Sequence, residues 1–177
     1  LQEAIFAAAD RSRGSYVEMA NATAKMKMLA GDAFGSNEEA LGFTELLQKS
    51  LKVSGAGTSE QQSAFLQLTQ AMSAGKLQGD EFRSVMENAP MVANAIAEYM
   101  GKSKGELKEM SSQGLITADI IKGAMFEAAD DINGKFAQMP MTFADVWQKI
   151  KNAGMEAFGG VFEKANAMLN SEMGQSV

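Results

Sequence analysis

Ser73-Ala74-Gly75-Lys76 spaces a hydroxyl and an amine as acyl-transfer enzymes do, where a lysine-assisted serine attacks a carbonyl. That chemistry wants the serine near a helix N-terminus, with Ser-Asp-Asn and Lys-Thr-Gly segments as partners. Here Ser73 falls at a helix end that Gly75 terminates, and neither partner segment occurs. Gly101-Lys102-Ser103 supplies the end of a phosphate-cradling loop, but Ile96 stands where its first glycine belongs and no strand precedes it. Paired carboxylates are the remaining route. A glycosidase needs two of them about 5–9.5 Å apart across a sugar cleft. Asp80-Glu81, Glu87, Glu98 and Asp130-Asp131 are available, yet Asp80-Glu81 opens a helix, where acidic residues suit the positive dipole end in any case. One Trp and two Tyr offer few sugar-stacking faces. No Asp-x-Asp-x-Asp-Gly loop points to calcium.

The composition narrows the chemistry further. The chain contains neither His nor Cys, so it lacks the commonest general base, the commonest zinc ligand and any thiol nucleophile. Its net charge of −6 opposes binding to nucleic-acid phosphates, and the pairs Lys25/Lys27, Lys102/Lys104 and Lys149/Lys151 read as solvated surface. The longest apolar candidate, Met91 to Met100, is broken by Asn94 and Glu98, well short of the ~20 residues that span a bilayer. No catalytic, cofactor-binding or metal-binding residue is assigned, and the chain reads as a non-enzyme.

What these residues share is a helical frame. Fourteen Met and two Pro in 177 residues favour packed helices, since Met fills gaps between them and Pro interrupts them. Ser15/Glu18, Ser36/Glu39, Thr58/Gln61, Ser103/Glu106 and Thr142/Asp145 fit the capping box, in which two residues three apart satisfy each other's free N–H groups. Gly31, Gly55, Gly75, Gly101 and Gly114 sit where a left-handed stop is wanted. Pro90 suits the first turn of a helix, and Pro140 a connection. The predicted helices cover 1–12, 15–30, 37–53, 59–74, 79–89, 90–100, 104–112, 118–137 and 142–170. Phe43, Leu46, Leu47 and Leu51 share one face, as do Phe65, Leu68, Ala71 and Met72. Phe82 is expected in the core. Leu115-Ile116 should be a buried connection before Thr117 caps the next helix. No strand is expected beyond a short pair.

The fold class is therefore all-α: a compact multi-helix bundle of short capped helices (1–140), followed by a longer heptad-like helix (141–177). In that last helix Phe143, Trp147, Ile150, Gly154, Ala157, Val161 and Met168 repeat at three- and four-residue spacing. It reads either as a kinked amphipathic helix packed on the bundle or as the start of a rod running past Val177. Gly159-Gly160 is left open between hinge and continuous helix. Trp147 is expected to anchor the core. The chain opens on Leu1 in what reads as mid-helix, so an excerpt of a longer parent is expected.

Residue order adds a likeness. LQLTQAMSAGKLQGDEFRSVMENAP (66–90), MGKSKGELKEMSSQGLITADIIKGAM (100–125) and FAQMPMTFADVWQKIKN (136–152) resemble the tape measure domain of long-tailed bacteriophages and prophages. The similarity runs from about Ile5 to Leu169. It implies a structural or assembly module of a tail tape measure protein, involved in tail assembly and tail length determination. It also implies location in the virion tail after assembly in the host bacterial cytoplasm. Tail assembly chaperones and tail tube proteins are the implied partners, and self-association is open. The alternative is a membrane-active or peptidoglycan-processing helical module, which some tape measure proteins carry elsewhere. Nothing in these residues indicates nucleic-acid or membrane contact.

Overall fold

The computed structural model describes residues 1–173, with side chains described through Val161 and at Lys164. Ten α-helices follow one another: α1 (Gln2–Arg11), α2 (Tyr16–Ala30), α3 (Asn37–Val53), α4 (Thr58–Ala74), α5 (Gly79–Asn88), α6 (Pro90–Met100), α7 (Lys104–Ser112), α8 (Ala118–Glu127), α9 (Ala129–Gln138) and α10 (Phe143–Met173). Among the described residues there is no strand. Lys76 forms an isolated antiparallel bridge with Thr117, and Leu77 N–H donates to Ile116 O at 2.8 Å. The all-α expectation holds.

Local chemistry sets most of the helix ends. Ser103 and Glu106 close a full capping box: Glu106 N–H donates to Ser103 Oγ at 3.2 Å, and Ser103 N–H donates to Glu106 Oε2 at 2.8 Å. Thr142 and Asp145 do the same, at 3.1 and 2.8 Å. Ser36 accepts from Glu39 N–H, while the Glu39 carboxylate reaches one residue further back to Gly35 N–H. Ser15 accepts from Glu18 N–H at 3.5 Å, a long bond. The Thr58/Gln61 box does not form. Gly57 is the N-cap, Thr58 is already helical, and Gln61 Nε2 donates to Ala56 O instead. At the other ends Gly75 and Gly101 are left-handed (φ +81° and +62°) as the last-turn geometry demands. Gly31 is not. It keeps φ −57° and leads the short 3₁₀ turn Gly31–Ala33.

The span predicted as one helix over 118–137 is two. Ala128 (ψ 3°) ends α8 and starts α9. The bend lets α8 pack against α6 while α9 runs along α3. Neither Gly nor Pro marks it, so packing on two different neighbours places the break.

α3 is the central pillar, in contact with α1, α2, α4, α6, α8 and α9. Phe43, Leu47 and Leu51 are buried with Leu68 and Met72 of α4, Val92 and Ile96 of α6, and Ile121 and Met125 of α8. Each such side chain contributes about 1.5–3 kcal/mol of burial. Surrounded on all sides, α3 also buries polar residues. Thr44 and Ser50 satisfy themselves by donating to the Ala40 and Leu46 carbonyls one turn back. Glu45 takes both oxygens into ion pairs, with Arg11 of α1 and Lys49. Phe82 lies in the core as predicted. Of the 115–117 connection only Ile116 is buried; Leu115 is exposed, and Thr117 caps α8.

Candidate interaction surface

The residues with catalytic types do not converge. Ser73 and Lys76 are exposed on either side of the α4 terminus. Lys102 pairs loosely with Glu106 at 3.6 Å. Asp80 pairs with Arg83 on α5, and Asp131 with Lys135 on α9. Glu87 and Glu98 are exposed on α5 and α6. Among the described residues no three Asp or Glu side chains gather as cation ligands, and no helix is long and apolar enough to cross a membrane. An open groove of about 520 Å³ runs between α2, α3 and α4, lined by residues such as Glu18, Lys25, Gln48, Gln62 and Phe65.

The distinctive geometry lies at the α1–α2 turn, where α10 is attached. Lys52 of α3 donates to the Ser12 and Arg13 carbonyls at 2.7 and 3.1 Å, and burial pushes its ammonium below its ordinary pKa. Arg13 is left-handed (φ 55°), a conformation costing a non-glycine residue roughly 1–2 kcal/mol. In return its guanidinium lies 4.7 Å from the Phe136 ring centroid and donates to the Phe136 and Pro140 carbonyls, holding the end of α9 and the link to α10.

Two turns into α10, Asn152 plugs into the same corner. It is 1% exposed. Its Oδ1 accepts from Tyr16 N–H at 3.1 Å, and its Nδ2 donates to Gly14 O at 2.8 Å and Asp10 Oδ1 at 3.1 Å. Gln148, one turn earlier, donates to Asn152 Oδ1. Tyr16 is itself braced by stacking on Phe6 at 3.9 Å. About two turns further on, Gly159 approaches Gln2: a Cβ there would sit 4.0 Å from Gln2 Nε2.

Asp145, Asn152 and Gly159 recur every seven residues and face the body. α10 therefore docks with its polar side. The apolar residues at the heptad seam point the other way, and the exposures agree: Phe143 is 97% exposed and Trp147 60%, with Val146, Ile150 and Val161 also exposed. The core role expected for Trp147 is overturned. So is the packing of the apolar face on the bundle. The helix runs unbroken through Gly159-Gly160, as a continuous ladder and not a chain break. Met168 lies outside the described side chains. Periodicity marked the seam correctly, but nothing in the sequence showed that a single buried Asn would decide which side faces the body.

No curated protein and no solved structure matches the chain significantly. The family model described as tape measure protein matches residues 1–163, covering the helical body and most of the described part of α10. The chain is a set of short capped helices with a long helix presenting an apolar face; by the match over residues 1–163, it belongs to the tape measure protein family.

Proposed function

We propose that this chain is a folded module of a ruler that sets tail length, assembled in the host cytoplasm with tail assembly chaperones and tail tube proteins as partners, and without a catalytic role. The observation that supports the reading is the family match over residues 1–163. α1–α9 fold back on α3 in helices of 9–17 residues, a body whose shape does not scale with tail length. α10, at 31 residues, spans about 47 Å at 1.5 Å per residue. The length-setting part then belongs to helix elsewhere in a longer parent chain.

In-frame deletions in the parent gene outside this segment, with tail length measured by electron microscopy, test the proposal. Tails should shorten by about 1.5 Å per deleted helical residue. Tails of unchanged length would overturn it.

A further inference from the structure

The exposed seam of α10 has an internal order that selects its partner. Large residues occupy its first half (Phe143, Trp147 and Ile150), and Gly154, Ala157 and then Val161 its second. Reflected about position 152, each large residue meets a smaller one: Phe143 opposite Val161, Trp147 opposite Ala157, Ile150 opposite Gly154. Flanking the seam, Phe158 falls opposite the smaller Val146 by the same rule. A two-fold axis requires that if one residue contacts another, the second contacts the first, and this arrangement satisfies it. Large-against-small alternation also lets facing layers interdigitate. Parallel pairing would instead stack Trp147 on Trp147 and Gly154 on Gly154, crowding one layer and leaving a hole in another.

We propose that two copies of this chain pair antiparallel through the 143–161 face of α10, on an axis at position 152, with their helical bodies outward. Asn152 lies on the side opposite the seam and is buried in the body, so docking and pairing use different faces. The area suffices. Phe143 and Trp147, with Val146, Ile150 and Val161, offer on the order of 500 Å² of apolar side chain per copy, and two copies reach the ~1,000 Å² that marks a specific interface. An interface of that size belongs to the weaker class, so association is sought up to about 100 μM chain.

The chain has no Cys, so introduced thiols are unique. Sedimentation of the 177-residue chain should show a concentration-dependent dimer, and Trp147→Glu should be monomeric with unchanged helicity, because Trp147 faces away from the body. Orientation is read by oxidation. In the antiparallel pair the two copies of position 157 are about 15 Å apart along the axis, beyond the ~7 Å Cα limit for a disulfide. Ala157→Cys alone should therefore stay unlinked, whereas Ala157→Cys mixed with Trp147→Cys should give the mixed dimer. A monomer at every concentration would overturn the proposal, as would a dimer that survives Trp147→Glu. Self-linking of Ala157→Cys without mixed linking would overturn the antiparallel register. None of these outcomes depends on tail length, so this inference and the ruler reading fail separately.

Discussion

Replacing Glu45 by Leu removes an acceptor that two cations share. Glu45 and Lys49 are buried side chains (10% and 7% exposed) and meet at 2.7 Å, while Arg11 is 57% exposed and reaches both Glu45 oxygens at 2.9 and 2.7 Å. The two legs differ in worth. The Arg11 leg is screened by water, so its loss costs at most about 1 kcal/mol. The Lys49 leg is different, because truncation leaves an ammonium buried against Asn133 Oδ1 (2.8 Å) and 5.7 Å from the Phe136 ring centroid. Breaking a buried pair this way typically costs about 3–5 kcal/mol. Asn133 is exposed and remains as an acceptor, so the low end applies and the whole change should cost about 3 kcal/mol. That is a large share of the ~5–15 kcal/mol by which domains are stable.

Urea unfolding followed by circular dichroism measures it. With a slope of about 2–3 kcal/mol/M, Glu45→Leu should lower the midpoint by about 1–1.5 M. The double variant Glu45→Leu/Lys49→Met should recover most of that loss, since replacing both members of a buried pair by apolar residues is often neutral. Arg11 and Asn133 are then free to meet water. A single variant costing under about 1 kcal/mol would refute the uncompensated-charge reasoning. So would a double variant no more stable than the single one.

The same carboxylate predicts a pH dependence. Burial pushes the Glu45 carboxyl up, but the bonds from Arg11 and Lys49 outweigh it and hold the group below its ordinary 4.5. A depressed folded pKa makes the contribution complete above the unfolded value and lost as pH falls through the folded one. The urea midpoint should therefore fall below about pH 4.5, and fall less steeply in Glu45→Leu/Lys49→Met; equal slopes in the two proteins would count against the assignment. Asn152→Ala, which strips three polar contacts from the α1–α2 corner, should weaken α10 docking by about 2–3 kcal/mol. Hydrogen exchange at the Tyr16 amide should then rise roughly 30- to 140-fold, with α3 amides unchanged, at about tenfold per 1.4 kcal/mol; an unchanged Tyr16 rate would contradict the docked geometry.

What was legible in the sequence is what depends on near neighbours. Ser103/Glu106 and Thr142/Asp145 could be read because a capping box needs only residues three apart. Phe43, Leu47 and Leu51 could be read because they share a helical face whatever covers it. The failures are non-local. Thr58 lost the cap to Gly57, whose extended backbone begins α4 one residue earlier. Ala128 breaks a helix because α6 and α3 pull its two halves apart, and no residue type at that point records it. Nothing local marks Glu45 as buried, and only Lys49 four residues on and Arg11 from α1 supply the cations that hold it there.

Trp147 carries the deeper lesson. Heptad spacing states which residues share a face, but it is silent about where that face points. Apolar burial alone would turn the seam of α10 toward the bundle, and the corner it meets argues against that. Around Asp10, Gly14 and Tyr16 the bundle offers a carboxylate, a carbonyl and an N–H, groups costly to bury beneath Trp147 or Ile150 without hydrogen bonds. Asn152 has both donor and acceptor in one amide and satisfies all three, so the polar face docks. The cost is an exposed apolar stripe, and a stripe of that kind marks an interaction site. In the antiparallel pair proposed for α10, that exposed stripe is where the binding energy would be found.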